Sequence, residues 1–282
     1  MILIADSGST KTDWVLLSNG AIVKAVRTQG INPIHQTPSI VQQTVKEELL
    51  PYLDAESVSS LFFYGAGCTP TKSEEMCHTL KSFFASATII EAESDLLGAA
   101  RALCGRKKGI ACILGTGSNS GLYDGKNIVR NIPPLGYILG DEGSGAALGR
   151  AFLNALYKEE LPKSVLTKFH TEFHLDYNQV IEQVYRKPLA NRFLASISPF
   201  ICQHKDEWPQ LKRIVIDNFR LFLRKNVQKY ESSSPINAVG SVAFYFSDLL
   251  KEAITEEHLL PGKILQKPIQ GLIEYHSNKK NL

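Results

Sequence analysis

The sequence predicts an α/β protein with two similar halves, each built on a mixed sheet that has helices on both faces. Two observations predict this class. First, short apolar runs fill residues 2–27, and helix and strand patterns then alternate to about Leu103; strands paired in hairpins and later separated by helices make a mixed sheet. Second, a strand–loop–strand unit at the N-terminus recurs in mid-chain, with Ile4 aligned on Ile113 at an offset of 109 residues. A repeat at this separation predicts two halves that face one ligand across a cleft.

The elements of the first half follow from local signals. Asn19-Gly20 between two apolar runs is a strong hairpin turn. Pro38 suits the first turn of a helix, and Ser94 suits an N-cap. The predicted elements are hairpin strands within residues 2–27, a helix from Thr37 to about Leu50, a strand Val58–Tyr64, a helix Lys72–Phe84, a short strand Thr88–Ile90 and a helix Asp95–Leu103.

The second half begins near the basic segment Gly105–Gly109, which predicts domains at 1–106 and 107–282. Apolar spacing over about 158–230 is typical of helices, and we interpret this block as an insertion into the second domain. The other predicted elements are a helix Gly143–Tyr157, a strand Ile236–Val239, a helix Val242–Ile254, a strand Lys263–Leu265 and a last helix Pro268–His276, which is free to pack back on the first domain.

Composition excludes several classes of function. The chain has 282 residues, 44% of them hydrophobic and 21% charged, with a net charge of +3. No long basic run indicates nucleic-acid binding, and no apolar run approaches the roughly 18 residues of a membrane span. The N-terminus has no signal-peptide pattern, so a cytoplasmic location is expected. The five cysteines form no CxxC pair, so no zinc or iron–sulfur centre is expected.

The two strand–loop–strand units are candidate phosphate sites. In the first, Asp6 ends an apolar run and is followed by a Ser/Gly/Thr loop. Hydroxyl and N–H groups of such a loop suit phosphate oxygens, and the carboxylate suits magnesium or its waters. A hairpin with a polar turn is the alternative, but a second loop, GTGSN at 115–119, favours the phosphate site.

Other polar residues follow strands or open helices, and each has a structural alternative. Asp95 either caps a helix or accepts a proton from an attacking hydroxyl. Asp141 either is the N-cap of a helix or contacts a sugar hydroxyl, and Asn32 either forms an Asx turn or contacts the sugar. Gly240 lies at a strand–helix junction, where small residues are common and where a nucleotide could approach the backbone.

The chain carries five motifs in order: DSGSTKTD at 6–13, SDLLGAAR at 94–101, GTGSN at 115–119, GDEGSG at 140–145 and VGSVA at 239–243. Together they resemble the N-acetylglucosamine kinase group of the acetate/sugar kinase, heat-shock cognate and actin superfamily. They also resemble the related activator ATPases of benzoyl-CoA reductase and hydroxyacyl-CoA dehydratase. The resemblance implies two ribonuclease-H-like domains of the actin/sugar-kinase type with a cleft between them.

The resemblance also implies roles for the nucleotide. ATP and Mg²⁺ would be the ligands, with Asp6 holding the magnesium through water. The first loop has Ser7 and Ser9 where relatives often have glycine. The phosphate-binding and ATP-binding residues implied by the resemblance are Ser9, Thr10, Lys11, Thr116, Gly117 and, near the adenosine, Gly240.

For the sugar, the resemblance implies contacts from Asn32, Ala66, Gly67, Asp95 and Asp141, with Asp95 as the catalytic base. The predicted activity is ATP-dependent phosphorylation of N-acetylglucosamine at its 6-hydroxyl. The turn at 65–67 has no hydroxyl group where relatives offer one. An N-acetylmuramic acid kinase, an activator-type ATPase and a non-catalytic sugar sensor are the alternatives. Whether the protein forms a homodimer, and what the 158–230 block does, stay open.

Overall fold

The computed structural model describes residues 1–8 and 10–277. The chain forms two compact units. The first unit comprises Met1–Lys107, Asp124–Ile128 and the described residues from Lys267 onward; the second comprises Lys108–Tyr123 and Val129–Gln266.

The first unit is built on a mixed sheet in the order β3-β2-β1-β4-β5. The hairpin strands β1, β2 and β3 pair antiparallel, whereas β4 and β5 continue the sheet parallel to β1. A turn at Asn19-Gly20, with both φ angles positive, joins β2 to β3 as predicted. The strands are β1 (Ile2–Ser7), β2 (Lys11–Ser18), β3 (Ala21–Gln29), β4 (Ser60–Gly65) and β5 (Ile89–Ser94).

Helices cover both faces of this sheet. One face buries Leu3, Trp14 and Phe63 against α1 (Pro38–Thr44), its π-helical extension Val45–Leu49, and α2 (Pro70–Lys81). The other face buries Ile4 and Phe62 against α3 (Asp95–Cys104) and the last helix of the chain. Alternation of apolar side chains along β1 and β4 produces this two-sided core.

The second unit repeats the same sheet topology, in the order β10-β9-β6-β7-β8. An antiparallel pair, β6 and β7, is again followed by strands parallel to the first strand of the pair. The strands are β6 (Gly109–Leu114), β7 (Ser118–Tyr123), β8 (Ile128–Asn131), β9 (Ile236–Val239) and β10 (Pro261–Leu265). The prediction of two similar halves, each built on a mixed sheet, is confirmed.

The helices of the second unit pack with this sheet in one core that includes Leu114, Phe152, Phe219 and Ala238. Five of these helices lie within the predicted helical block, counted over its described residues. The helices are α4 (Gly136–Leu139), α5 (Gly145–Tyr157), α6 (Lys163–Phe173), α7 (Tyr177–Tyr185), α8 (Ala190–Ala195), α9 (Ser198–His204), α10 (Pro209–Lys225), α11 (Ser241–Tyr245) and α12 (Ser247–Glu256). The last helix, α13 (Ile269–Ser277), packs against α3 and β1 of the first unit.

Three details differ from the sequence-based expectation. The strands β1 and β6 begin 107 residues apart, at Ile2 and Gly109, rather than 109. The alignment matched polar loop residues two positions out of the structural register. Both loops have three residues between their strands, but their closing hydrogen bonds differ: Gly8 N donates to Lys11 O, whereas Gly115 N donates to Gly117 O. Strand β5 is longer than predicted, because Glu91 and Glu93 interrupt its apolar run in sequence but not its pairing with β4. The predicted helix Val242–Ile254 is two helices separated at Phe246.

Among the described residues, no helix is both long enough and apolar enough to cross a bilayer.

Candidate active site

In the first unit, three chain segments end at one edge of the sheet. Strands β1, β4 and β5 are parallel, and Ser7, Gly65 and Ser94 lie side by side in register. The carboxyl ends of parallel strands meet at one edge, which is where α/β proteins bind ligands. The residues predicted from sequence are their direct neighbours in the chain. Asp6, the predicted metal ligand, precedes Ser7, the sugar-turn residue Ala66 follows Gly65, and the predicted base Asp95 follows Ser94.

Asp6 lies on β1 directly opposite Asp13 on β2. The Asp13 carboxylate accepts hydrogen bonds from Arg27 Nε at 2.8 Å and Lys267 Nζ at 2.9 Å. Burial alone would raise the pKa of Asp13, but these two cations outweigh it and lower the pKa. For Asp6, burial and the nearby carboxylates Asp13 and Asp95 raise the pKa to about 7, against the opposing charges of lysines.

This environment fits a divalent cation at Asp6. A half-buried carboxylate next to two others is costly to ionise, and a bound cation offsets that cost. Among the described residues, no three His, Cys, Asp or Glu side chains are arranged to hold one metal ion. Magnesium is often held by one or two protein carboxylates, with waters and substrate phosphates as its other ligands.

The first candidate phosphate loop is a tight turn between β1 and β2. Gly8 N donates to Lys11 O at 3.0 Å, and Thr10 and Lys11 are exposed, so both side chains are accessible to a phosphate. Ser9 lies outside the described residues. Ser7 points inward instead: its Oγ hydrogen-bonds Thr12 Oγ1 and Ile31 O, which ties the chain before Asn32 to the end of β1.

Asp95 is the first residue of α3 and follows directly on β5. Ser94 is the N-cap, as predicted, and its Oγ accepts from Leu97 N at 3.2 Å. The Asp95 Oδ1 atom accepts from Leu96 N at 2.8 Å. Burial raises the pKa of Asp95, and this hydrogen bond opposes the rise. Asp95 is therefore held in place by the helix start and is a better proton acceptor than a solvated aspartate.

The sugar-turn residues lie at the same edge. Ala66 N donates to Ser7 O at 3.0 Å, which places the turn beside the end of β1. Gly67 has φ +83°, and a Cβ at that position would overlap Asn32 Oδ1. Asn32 Oδ1 accepts from Ile34 N at 3.0 Å, so the predicted Asx turn is present, and none of the described residues accepts a hydrogen bond from Asn32 Nδ2. Asn32 and Gly67 are thus in contact beside the aligned strand ends at Ser7, Gly65 and Ser94.

The second candidate phosphate loop belongs to the second unit and packs on the start of α5. Gly145 N donates to Gly115 O at 2.8 Å, and Ala146 N donates to Thr116 O at 3.1 Å. Asp141 Oδ1 accepts from Ser118 N at 3.4 Å, and a Cβ on Gly117 would lie 3.1 Å from Asp141 Oδ2. The GDEGSG motif therefore builds one surface with the GTGSN loop.

The helix-cap alternative for Asp141 is wrong. Ser144 caps α5, with its Oγ accepting from Ala147 N at 3.1 Å. Asp141 has a left-handed backbone conformation, with φ +55°. Burial raises the pKa of Asp141, and its hydrogen bond from Ser118 opposes the rise. Its carboxylate is thus available beside the loop rather than committed to the helix end.

Gly240 follows β9 and lies against the end of β6. Its φ is +126°, and a Cβ there would overlap Leu114 O. Only glycine combines this conformation with such a close backbone approach. Because Val239 pairs with both Ile113 and Leu265 in parallel strands, Gly240 shares the edge that carries Thr116 and Gly117.

Sequence reasoning missed the ion pairs that surround these residues. Asp13 could have been placed opposite Asp6, because a hairpin with a short turn sets that register. Lys267, which binds Asp13, lies 254 residues further along the chain. Glu142 is buried and accepts from Lys225 Nζ at 2.9 Å, another contact between segments far apart in sequence.

Solved structures resemble this chain over nearly its whole length. A candidate N-acetylglucosamine kinase from Porphyromonas gingivalis is 48% identical, with a TM-score of 0.95 and 99% of each chain covered. A second candidate N-acetylglucosamine kinase, from Chromobacterium violaceum, is 19% identical, with a TM-score of 0.74 over 97% of this chain and 98% of that chain. A ROK family glucokinase from Streptomyces griseus, solved with glucose and AMPPNP, is 14% identical, with a TM-score of 0.53 and 97% of each chain covered.

The last two structures show a shared fold, whereas the first is similar enough to show the family. No protein-family model and no curated protein matches the chain. The 48% identity over almost every residue agrees with the five ordered motifs and with the repeated sheet topology. The chain therefore belongs to the N-acetylglucosamine kinase family of the actin-like sugar kinase superfamily.

Proposed function

We propose that the protein transfers the γ-phosphoryl group of MgATP to N-acetylglucosamine, at the sugar 6-hydroxyl, in the cytoplasm. The observation that carries this proposal is the placement of Asp95. It opens α3 at the same sheet edge as Asp6, the 65–67 turn and Asn32. The 48% identity to a candidate N-acetylglucosamine kinase supports the choice of sugar.

Each residue then has a task in phosphoryl transfer. Asp95 orients the sugar hydroxyl and takes its proton on a carboxylate oxygen, while Asn32, the 65–67 turn and Asp141 bind the other sugar groups. Thr10, Lys11, Thr116 and Gly117 contact the phosphates, and Gly240 lets the adenosine approach the backbone. Bound magnesium supplies charge neutralisation at the phosphates, and Asp6 is the residue that would hold it. Phosphoryl transfer depends mainly on positioning and charge stabilisation, so a well-held carboxylate suffices as the base.

The first test is a panel of amino sugars assayed with MgATP for ADP release, followed by NMR of the product. We expect N-acetylglucosamine to be the preferred acceptor and the product to carry phosphate on the 6-oxygen. Turnover of N-acetylmuramic acid in preference would instead favour the related kinase, consistent with Ala66 offering no hydroxyl in the sugar turn. Stoichiometric iron and sulfide in the anaerobically purified protein would favour the activator-type ATPase.

The second test separates catalysis from binding. Asp95→Asn keeps the shape of the side chain but removes the base, so kcat should fall by about 10²–10⁴-fold. The KM values for ATP and the sugar should change far less. Glu93→Gln is the matched control, because Glu93 is a neighbouring acid whose pKa burial also raises and no catalytic role is assigned to it. The kcat of this variant should stay within a few-fold of the wild-type value. The opposite result would place the base in the GDEGSG motif instead. In that case Asp95→Asn would keep near-normal turnover, whereas Asp141→Asn would lose turnover at saturating sugar.

A further inference from the structure

The helical part of the second unit forms an open cavity of about 540 Å³ that is separate from the residues discussed above. Helices α5 and α7 each line it with one face, through residues spaced three and four apart, and α4 and α8 close it. Most of the lining is apolar and includes four tyrosines. Seven of the lining residues are exposed, among them Ile138 (69%), Tyr177 (53%) and Tyr185 (77%), so the cavity is open to solvent along one side and a ligand can enter.

The volume decides which kind of occupant fits. Small-molecule sites have volumes of about 300–1,000 Å³ and are mostly apolar with a few polar groups. At about 540 Å³ the cavity falls within this range, so its volume suits one small molecule.

The charges of the lining decide the chemistry of the occupant. Its charged residues are Arg150 and Lys158, and the lining contains no acid. Among the described residues, no carboxylate forms an ion pair with either cation. The Arg150 Nη1 atom donates instead to backbone carbonyls, Tyr137 O at 2.8 Å and Ile138 O at 3.4 Å. An apolar cavity with two cations lacking carboxylate partners is complementary to an organic anion with an apolar body.

The cavity is connected to Asp141 through α4. Tyr137 and Ile138 are both cavity wall and part of α4, which precedes Asp141 by two residues. Asp141 N donates to Pro134 O at 2.9 Å, and a Cβ on Gly140 would overlap the same oxygen. The segment before α4 and the GDEGSG motif are therefore tightly packed, and a ligand that shifts α4 also shifts Asp141.

Arg150 adds an electrostatic link between the cavity and Asp141. The Arg150 Nη1 atom donates to two carbonyl groups of α4, Tyr137 O at 2.8 Å and Ile138 O at 3.4 Å, and α4 leads directly into the GDEGSG motif. Burial and Glu142 raise the pKa of Asp141, and the charge of Arg150 opposes that rise. An anion bound in the cavity would compete for this charge. Packing and charge thus both connect occupancy of the cavity to the GDEGSG motif.

We propose that this cavity is a binding site for one amphipathic organic anion, and that its occupancy changes the affinity for the sugar through Arg150, α4 and Asp141. The binding site stands on the cavity alone, whereas the coupling rests on the proposed function of Asp141. Coupling between two sites is reciprocal, and typical values correspond to about 5- to 150-fold changes in affinity.

The first experiment titrates the full-length protein with the fluorescent anion 8-anilinonaphthalene-1-sulfonate. We expect one saturable site per chain. Lys158→Glu reverses an exposed lining charge, and Asn154→Trp fills the cavity from an exposed position on α5, so both should weaken binding at least tenfold. Lys163→Glu is the matched control, because it reverses an exposed lysine of the same unit outside the lining, and it should bind as the wild type does. Non-saturable binding, or equal affinity in all four proteins, refutes the site.

The second experiment measures N-acetylglucosamine affinity by calorimetry with and without saturating 8-anilinonaphthalene-1-sulfonate. We expect a change of at least about fivefold in the wild type and in Lys163→Glu, but none in Asn154→Trp. An unchanged sugar affinity in the wild type refutes the coupling and leaves the binding site. A protein that binds the dye at this site but binds no amino sugar refutes the proposed function instead, because dye binding does not depend on catalysis.

Discussion

Replacing Asp6 by asparagine should stabilise the folded protein while removing its magnesium-dependent activity. Burial and two neighbouring carboxylates raise the pKa of Asp6 from an ordinary 3.8 to about 7 in the folded chain. Between these values the folded state keeps a proton that the unfolded state has lost. The free energy of unfolding of the wild type therefore falls as the pH rises from about 4 to about 7, and the loss is complete above pH 7.

The size of this effect follows from the shift. A rise of about three pKa units, at about 1.4 kcal/mol per unit, gives up to about 4 kcal/mol. The Asp6→Asn variant cannot ionise at this position and should not pay this electrostatic cost. Any cost of placing an amide there is the same at every pH. The stability difference between the variant and the wild type should consequently grow by up to about 4 kcal/mol between pH 4 and pH 8.

The assay is urea unfolding at pH 4, 6 and 8, with EDTA and without nucleotide. Asp217→Asn is the control, because Asp217 is half exposed and forms an ion pair only with Arg213 among the described residues. The difference in free energy of unfolding between this variant and the wild type should not grow between pH 4 and pH 8. A difference between Asp6→Asn and wild type that is flat across pH would refute the electrostatic reasoning. Unchanged turnover of Asp6→Asn at limiting magnesium would refute the metal role.

Three further substitutions test the geometry of the two sheet edges. Gly98→Ala places a Cβ 2.8 Å from Tyr64 Cβ, so α3 must shift. Urea unfolding should show that the free energy of unfolding falls by about 1–3 kcal/mol. The kcat should also fall, because this helix carries the proposed base. Gly240→Ala forces a Cβ onto Leu114 O at φ +126°; strain of about 1–3 kcal/mol should raise the KM for ATP about 5- to 150-fold with little change in sugar affinity. Asp141→Asn removes a charged acceptor worth about 1.5–3 kcal/mol, so calorimetry should show sugar binding about 10- to 150-fold weaker while kcat changes less.

The repeated fold could be predicted from sequence because its signals are local. Apolar runs, the Asn19-Gly20 turn and the Ser94 cap each depend on a few adjacent residues, and each is present in the structure. The candidate site residues could be named because they stand at strand ends and helix starts. The length of β5 could not be predicted, because pairing with β4 overrides its polar residues Glu91 and Glu93.

Contacts between segments far apart in sequence could not be predicted by the same reasoning. The Lys267–Asp13 ion pair joins positions at opposite ends of the chain, and no local pattern indicates it. The cavity of the second unit depends on how α5 and α7 are packed, whereas the sequence shows only that both are amphipathic. The role of Asp141 as a helix cap was a reasonable local alternative, and Ser144, three residues later, fills that role instead.

The two sheets share a topology but differ in charge at equivalent positions, and this difference bears on the magnesium role that we propose for Asp6. In the first sheet Asp6 pairs with Asp13, whereas the equivalent pair in the second sheet is Ile113 with Asn119. This strand pair of the second sheet thus carries no carboxylate, and the carboxylate beside the loop after β6 is that of Asp141, which follows α4. Two carboxylates paired across neighbouring strands, as in the first sheet, repel a phosphate chain unless a cation lies between them. The magnesium role that we propose therefore belongs to the Asp6–Asp13 pair of the first sheet, and Asp6→Asn is the substitution that tests it.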